Sequence, residues 1–170
     1  MKLCTSLTCL GTIFLSVLTT AGCGLTRPGM PEAIDLSTGP EQLRAQLYLP
    51  KTNAVASPAV VVVHGGSWIR RSGDMESISR KLAAAGFAAF NISYRSASQH
   101  PYPAAVDDVR GAIAWLKQNA EQYQIDPHRI GGWGYSAGGQ LILRAGLDPQ
   151  MEMGAIVSGG TPARFSYWPA

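Results

Sequence analysis

The sequence predicts an α/β fold with a mostly parallel, doubly wound sheet, and three observations support this. Segments typical of strands and helices alternate from residue 33 onward, the order that places helices on both faces of a parallel sheet. Residues 59–63 form a continuous apolar run, as expected of a central strand covered on both faces. The 170-residue chain is 46% hydrophobic and 15% charged, which favours one globular domain and argues against a disordered chain.

The first predicted elements are two short strands at one edge of the sheet. Residues 33–37 and 43–49 flank the turn-forming sequence Thr38-Gly39-Pro40, so they are expected to pair antiparallel. The second segment alternates, and its apolar residues share one face: Leu43, Ala45, Leu47 and Leu49.

A helix is predicted to follow the central strand at residues 59–63. Asp74 is suited to cap its N-terminus, because its carboxylate accepts hydrogen bonds from amides of the first turn. The helix extends to about Ala85, and Gly86 ends it. Residues 87–92 are predicted to be the next buried strand.

The remaining elements complete the alternation. The longest helix is predicted to begin near Pro103, since proline suits the first turn. Its apolar residues recur at helical spacing: Val106, Val109, Ile113 and Leu116. A strand over residues 130–135, a helix over 137–147 and a strand over 154–157 follow.

Residues 1–22 are typical of a signal peptide. Lys2 precedes an apolar run over residues 3–18, and small residues then lead to Cys23. The run is too short and too often interrupted for a membrane-spanning helix. Its end resembles a bacterial lipobox, with Thr20 where a branched aliphatic residue is usual. The sequence therefore predicts an exported protein that is lipidated on Cys23, with simple cleavage as the alternative, followed by a tether over residues 23–32.

The cysteines and the charge exclude other classes. Cys4, Cys9 and Cys23 all lie at or before the predicted processing site, so the mature chain is expected to have no intramolecular disulfide. The net charge is only +3, and no basic stripe interleaved with aromatic residues is present. We therefore expect no nucleic-acid partner.

Residues 131–141, GGWGYSAGGQL, contain a G-x-S-x-G pattern formed by Gly134, Ser136 and Gly138. The pattern falls between a predicted strand and a predicted helix, the setting of a nucleophile elbow. Ser136 would lie at the helix N-terminus, where the dipole favours negative charge. A glycine-rich turn with a capping serine is the alternative that this pattern leaves open by itself.

A second motif, HGGSW, directly follows the central strand at residues 64–68. Small residues there allow backbone amides to approach a carbonyl oxygen that becomes charged during acyl transfer. The expected oxyanion donors are Gly65, Gly66, Ser67 and, after the serine, Ala137. His64 is expected to make a structural hydrogen bond and not to serve as general base.

Together, five segments resemble the alpha/beta-hydrolase superfamily: HGGSW, Tyr94-Arg95, PYPAAVDDV, DPHRI and GYSAGG. The similarity is greatest to small bacterial esterases of the acetyl-esterase, feruloyl-esterase-like and hormone-sensitive-lipase-like types. The resemblance covers about residues 43–160, which correspond to the first six strands of an eight-stranded fold. The domain that contains them is predicted to span residues 33–170. The resemblance implies Ser136 as nucleophile of an ester hydrolase that acts through an acyl-enzyme and needs no metal or organic cofactor. It also implies an oxyanion region and supporting motif residues, the latter being His64, Trp68, Gly134, Tyr135 and Gly138.

The acidic residue and histidine of a catalytic triad are not evident. In the superfamily they follow strands seven and eight, whereas only Asp148 and Glu152 follow Ser136, and no histidine does. His100 is expected near the mouth of the site and His128 on the surface.

Two further carboxylates have a simpler expected role. Asp107 and Asp108 are placed to serve the dipole of the longest helix.

Two hypotheses account for the missing triad residues. The chain is a fragment of an exported esterase that acts on small-molecule esters, or it is a short lipoprotein that binds an ester or a glycan without hydrolysis. Impaired turnover is expected in either case. A membrane is the expected partner through the lipid on Cys23. Because residues 154–157 would lie at the sheet edge, self-association through this sixth strand is also expected.

Overall fold

The structure is a computed structural model that describes residues 32–35, 43–51 and 55–162. Within these residues the strands are β1 (Glu32–Asp35), β2 (Arg44–Tyr48), β3 (Ser57–Val63), β4 (Ala88–Ile92), β5 (Ile125–Tyr135) and β6 (Ala155–Gly159). The helices are α1 (Met75–Ala84), α2 (Ala104–Gln118) and α3 (Ala137–Gly146), and a 3-10 turn covers Pro149–Met151.

The six strands form one mixed sheet in the order β1-β2-β4-β3-β5-β6. Strands β4, β3, β5 and β6 are parallel, and β1 and β2 pair antiparallel at one edge. The predicted mostly parallel sheet with an antiparallel edge is confirmed. The order also places the carboxyl ends of β3 and β5 side by side, with Val63 opposite Gly134.

Helices cover both faces of the sheet. On one face α2 and α3 pack over the larger core, whose members include Val61, Val63, Phe90, Ile92, Val109, Ile113, Leu116, Leu141 and Ile142. On the other face Met75 and Ile78 of α1 pack with Val62 and Tyr48. Successive residues of β3 therefore face opposite layers, which explains why this strand is apolar without alternation.

The end signals of the first helix act as predicted. Asp74 precedes α1, and its carboxylate accepts a hydrogen bond of 3.0 Å from the amide of Ser77. Gly86 follows the helix with φ +91°, a left-handed conformation that glycine adopts readily. Pro103 lies immediately before the first residue of α2, one position earlier than a first-turn proline.

Strand β5 begins five residues earlier than the sequence predicts. Ile125 already pairs with Ser57, and the register then shifts before Ile130 pairs with Ala59. The DPHRI segment contains a proline and an aspartate, residues that favour a turn. Asp126 does accept a hydrogen bond of 2.9 Å from the amide of His128, so the turn is an irregularity inside the strand.

Several predictions concern residues outside the described ones. The signal peptide at residues 1–22, Cys23 and the tether up to residue 31 are among them, as are residues 163–170 of the predicted domain. Glu32, which was assigned to the tether, instead pairs with Leu47 in β1. No helix in the described part of the chain is long and apolar enough to cross a membrane.

Candidate active site

Ser136 lies at the junction of β5 and α3, with φ 52° and ψ −120°. A positive φ at a residue other than glycine costs about 1–3 kcal/mol and persists only where surrounding contacts impose it. The Ser136 amide donates a 2.8 Å hydrogen bond to the carbonyl of Gly159 in β6, and its carbonyl accepts one of 3.2 Å from Gln140. These bonds hold the serine on a sharp turn at the carboxyl end of the sheet.

Two glycines make this turn sterically possible. A Cβ on Gly134 would lie 2.4 Å from the carbonyl oxygen of Gly138. A Cβ on Gly138 would lie 2.3 Å from the carbonyl oxygens of Val63 and His64. These neighbours are backbone atoms, so no side-chain movement would relieve either clash. Helix α3 can therefore start this close to β3 and β5 only with glycine at both positions.

The HGGSW loop at residues 64–68 lies against the serine. A Cβ built on Gly65 would be 3.0 Å from the Tyr135 carbonyl oxygen and 3.4 Å from the Ser136 Cβ. The next three residues have positive φ, namely 120° at Gly66, 54° at Ser67 and 61° at Trp68. Three consecutive residues with positive φ turn the loop sharply, and the amides of Ile69 and Arg70 close the turn by donating to the Gly66 carbonyl at 3.2 and 3.1 Å.

The amides of the predicted oxyanion set are not equivalent. The Gly65 amide donates a 3.2 Å hydrogen bond to the Ser72 carbonyl, and the Gly65 carbonyl accepts one of 3.0 Å from the Ser72 amide. Gly65 is thus occupied in closing the loop. Among the described residues, the amides of Gly66 and Ser67 donate to no backbone carbonyl, and Ala137, the first residue of α3, has no carbonyl four residues back within its helix.

His64 is buried beneath the loop. Its Nδ1 donates a 2.8 Å hydrogen bond to the Gly65 carbonyl, and its ring stacks on Tyr94 with centroids 4.2 Å apart. The Tyr94 hydroxyl donates to the His64 carbonyl at 3.1 Å. Burial lowers the pKa of His64 to about 4 and raises that of Tyr94 to about 12. The imidazole is therefore neutral at pH 7 and braces the loop, in agreement with the predicted structural role.

Trp68 connects the loop to the helix that follows the serine. Its Nε1 donates a 3.2 Å hydrogen bond to Oε1 of Gln140, which lies one turn after Ser136. Tyr135, directly before Ser136, is half exposed. Sequence reasoning identified Trp68 only as a motif residue and missed Gln140, because 72 positions separate the two partners.

A cavity of about 720 Å³ opens beside Trp68 and Gln140. Its walls are formed by the HGGSW loop, the segment before α2 and one face of α3. Members of each wall include Ser67, Trp68, Ala97, His100, Tyr102, Pro103, Val106, Gln140, Leu141 and Arg144. His100 lines this cavity, and His128 is exposed.

The prediction for Asp108 was wrong. Asp107 lies in the first turn of α2, but Asp108 is buried and its carboxylate binds Arg95, with Oδ1 2.7 Å from Nη2 and 2.9 Å from Nε. Oδ2 also accepts a 2.7 Å hydrogen bond from the Arg95 amide. The carboxylate therefore ties α2 to the segment after β4, a long-range contact that the helix pattern does not reveal.

The described residues contain no group of three His, Cys, Asp or Glu residues placed to bind a metal ion. All three histidines of the sequence are described, and none has its imidazole hydrogen-bonded to Ser136. Asp148 and Glu152 instead pair with Arg110 at 3.3 Å and Lys117 at 2.9 Å. The site therefore combines a serine with a strained backbone, backbone amides of the neighbouring loop, and a cavity lined by Ser67 and Gln140.

The family model described as BD-FAE matches residues 45–158. Esterase LipC of Mycobacterium tuberculosis (strain ATCC 25618 / H37Rv) is 37% identical over 101 residues, which cover 56% of this chain and 25% of LipC. An arylesterase of Saccharolobus solfataricus is 36% identical over 123 residues, which cover 68% of this chain and 39% of the arylesterase. The chain thus spans well under half the length of these curated relatives.

A solved structure shows the same architecture. MGS-M1, an alpha/beta hydrolase enzyme from a Medee basin deep-sea metagenome library, superposes with a TM-score of 0.72 at 25% identity. The superposition covers 85% of this chain and 63% of MGS-M1. The expected fold class, a partial alpha/beta-hydrolase fold, is confirmed.

Proposed function

The chain belongs to the BD-FAE family, and from this premise we propose that it carries the nucleophile and the oxyanion donors of a serine carboxylic-ester hydrolase. The observation that carries the proposal is the strained Ser136, φ 52°, packed against the loop at residues 64–68. Relatives named as esterases support the same reaction class. Small-molecule carboxylic esters are the proposed substrates.

In the proposed reaction the Oγ of Ser136 attacks the carbonyl carbon of the ester, and the carbonyl electron pair moves to its oxygen. The amides of Gly66, Ser67 and Ala137 donate to this oxyanion, a type of stabilisation worth about 3–4 kcal/mol per donor in related chemistry. The Oγ proton passes through water to the alkoxide oxygen, so the C–O bond of the ester breaks and the alcohol leaves. The acyl-enzyme that remains is hydrolysed by water, which releases the carboxylic acid and restores the Ser136 hydroxyl. We exclude Gly65 from the donors, since its amide is already bonded to Ser72.

We further propose that the 170-residue chain turns over slowly. A serine hydroxyl is a weak nucleophile at neutral pH unless an adjacent base takes its proton. His64 is neutral but bonded to Gly65 through Nδ1, and His128 is exposed on β5. Residual catalysis of about 10³-fold over water remains when a triad is incomplete, because the oxyanion donors still act.

Labelling with a fluorophosphonate probe and p-nitrophenyl acetate turnover test the proposal. We expect slow stoichiometric labelling that the Ser136→Ala change abolishes. Ser77→Ala, on helix α1 at the opposite face, is the matched control and should label as the unmodified chain does. Labelling that survives in Ser136→Ala would refute the nucleophile assignment. Rapid labelling would instead show that a base serves Ser136 and would refute only the slow turnover.

A second candidate is ester or glycan binding without hydrolysis. The cavity of about 720 Å³ beside a serine that lacks a bonded imidazole favours it. Calorimetric binding of an ester by a chain that the fluorophosphonate leaves unlabelled would support this alternative over the hydrolase.

We also propose that the protein is exported and anchored to a bacterial membrane through lipid on Cys23, on the periplasmic or cell-surface side. The signal-peptide pattern and the position of Cys23 support this. Each buried methylene of an acyl chain contributes about 0.8 kcal/mol, so several chains would anchor the protein firmly. Metabolic labelling with an alkyne fatty acid should mark the protein and fail with Cys23→Ser, and persistent labelling would contradict the proposal.

A further inference from the structure

We propose that the cavity beside Ser136 selects esters whose non-reacting end carries a carboxylate, and that Arg144 is the residue that binds this carboxylate. The inference rests on the proposed function for its orientation, since it places the ester group at Ser136. Its own evidence is the position, charge and apolar lining of the cavity.

The cavity lies beside helix α3, and its walls include Ser67 of the loop at residues 64–68 and Gln140, whose amide is bonded to the Ser136 carbonyl. Gln140 and Arg144 are four residues apart on α3, so they lie on neighbouring turns of the same side, and Ser136 immediately precedes the helix. With a rise of 1.5 Å per residue, Arg144 starts roughly 12 Å from Ser136 along the axis. Gln140 and Arg144 both line the cavity. A substrate held at Ser136 would therefore extend past Gln140 toward Arg144.

The charge of the cavity is one-sided. Among the described residues, Arg144 lines it and no aspartate or glutamate does. Four other described arginines have carboxylate partners, namely Arg80, Arg95, Arg110 and Arg129. Arg144 lies 5.9 Å from the ring centroid of Tyr102, and no carboxylate of the described residues lies within ion-pair distance of it. Its guanidinium is thus held at the cavity wall by an aromatic face, with its donors available to a ligand.

The chemistry of this wall favours a carboxylate. A guanidinium offers parallel N–H donors that match the two oxygens of a carboxylate. The other walls include Trp68, Tyr102, Val106 and Leu141, which provide apolar surface for an alkyl or aryl segment. A volume of about 720 Å³ falls within the range of roughly 300–1,000 Å³ typical of small-molecule sites. An ester with an apolar middle and an anionic end satisfies both surfaces.

Binding of a matched ligand pair to the full chain carrying Ser136→Ala tests the proposal without turnover. Monomethyl suberate has a carboxylate opposite its ester, whereas dimethyl suberate is neutral and of similar length. The Trp68 indole N–H, assigned by its loss in Trp68→Phe, reports occupancy in an NMR titration. We expect the monoester to bind about three- to tenfold more tightly at low salt, the range for a partly exposed charge-assisted contact, with the difference shrinking as salt rises.

Arg144→Gln should remove the preference for the monoester, and Arg144→Lys should keep part of it. Arg129→Gln, at an exposed pair with Asp126, is the matched control and should leave the preference unchanged. Equal affinities for the two ligands in the parent chain would overturn the proposal. A preference that survives Arg144→Gln but disappears with His100→Gln would overturn the assignment to Arg144. Fluorophosphonate labelling reports the proposed function separately, because it does not depend on the affinity ratio.

Discussion

His64 makes folding depend on pH, because it is buried and neutral in the native chain. Its pKa is about 4 when folded against an ordinary value of 6.5, and burial is the main cause. As pH falls, the unfolded chain binds this proton first, so stability falls with pH. The contribution of the neutral His64 to the free energy of unfolding is fully present above pH 6.5 and is lost progressively as the pH falls to about 4. A shift of this size corresponds to about 3 kcal/mol.

Thermal melts between pH 7 and pH 4 measure this effect. In His64→Gln the group no longer titrates, so we expect a smaller loss of stability across that interval, despite lower stability at pH 7 from the lost stacking on Tyr94. His128→Gln removes an exposed histidine and should follow the unmodified chain. An unchanged pH slope in His64→Gln would contradict the prediction.

Gly66, in the loop at residues 64–68, lies where a side chain would clash with the backbone. A Cβ on Gly66 would lie 1.8 Å from the carbonyl oxygen of Arg70, and Gly66 has φ +120°. Gly66→Ala should therefore displace the loop and slow fluorophosphonate labelling of Ser136 at least about tenfold, because loss of one oxyanion donor costs about 10²–10³-fold in acyl transfer. Ser67→Gly is the matched variant, because glycine accepts the φ of 54° at that position without strain.

Ser67→Gly should keep the labelling rate. It should change the free energy of unfolding by no more than about 1 kcal/mol, because glycine relieves backbone strain in the folded chain but also increases the conformational entropy of the unfolded chain. Equal labelling rates in Gly66→Ala and Ser67→Gly would show that the loop does not act on Ser136.

At the scale of elements, the pair of Arg95 and Asp108 joins α2 to the end of β4. The Asp108 side chain is 4% exposed, and that of Arg95 is 32% exposed. The Arg95 Nη2 also donates to the Ala104 carbonyl at 3.3 Å, so one guanidinium serves both the carboxylate and the first turn of α2. This arrangement positions α2, and with it the cavity wall at Val106.

Asp108→Asn should lower the free energy of unfolding by about 2–4 kcal/mol, because it removes the negative charge of a buried carboxylate that lies 2.7 Å from the Arg95 guanidinium. Asp107→Asn provides the matched control. Asp107 pairs at the surface with Arg110 at 3.2 Å, so its loss should cost less than about 1 kcal/mol. Urea denaturation measures both, and similar costs for the two variants would contradict the assignment.

At the scale of the whole molecule, strand β6 forms an edge of the sheet among the described residues. Val157 is 58% exposed there, and Ala155 is exposed as well. An apolar edge strand with unpaired backbone groups favours pairing with another chain. We therefore predict that the isolated chain self-associates through β6.

Light scattering on the Cys23→Ser chain, which cannot be lipidated, tests this prediction. Addition of Val157→Lys should lower the apparent mass toward that of a monomer, because a charge on an edge strand opposes strand addition. Val55→Lys changes an equally apolar residue that is 79% exposed before β3 and should leave the association unchanged. A monodisperse monomer without Val157→Lys would refute the prediction.

The sequence alone determined those features that depend on neighbouring residues. Helix α1 starts after Asp74 and ends before Gly86, since capping and left-handed turns are local. The apolar run of β3 and the pattern around Ser136 likewise identified the sheet centre and the elbow, because side-chain periodicity and steric crowding act over a few residues. The resemblance then implied the first six strands of an eight-stranded fold, and the described sheet has six strands.

Only the tertiary structure decided which of these groups meet. It placed the Gly65 amide on Ser72, buried Asp108 against Arg95, joined Trp68 to Gln140, and formed a cavity that Arg144 lines. Asp107 and Asp108 are identical neighbours in sequence, yet one faces solvent and the other the core. The physical reason is that these contacts arise from the docking of α2 and α3 onto the sheet, and local propensity does not encode which side of a helix finds a partner.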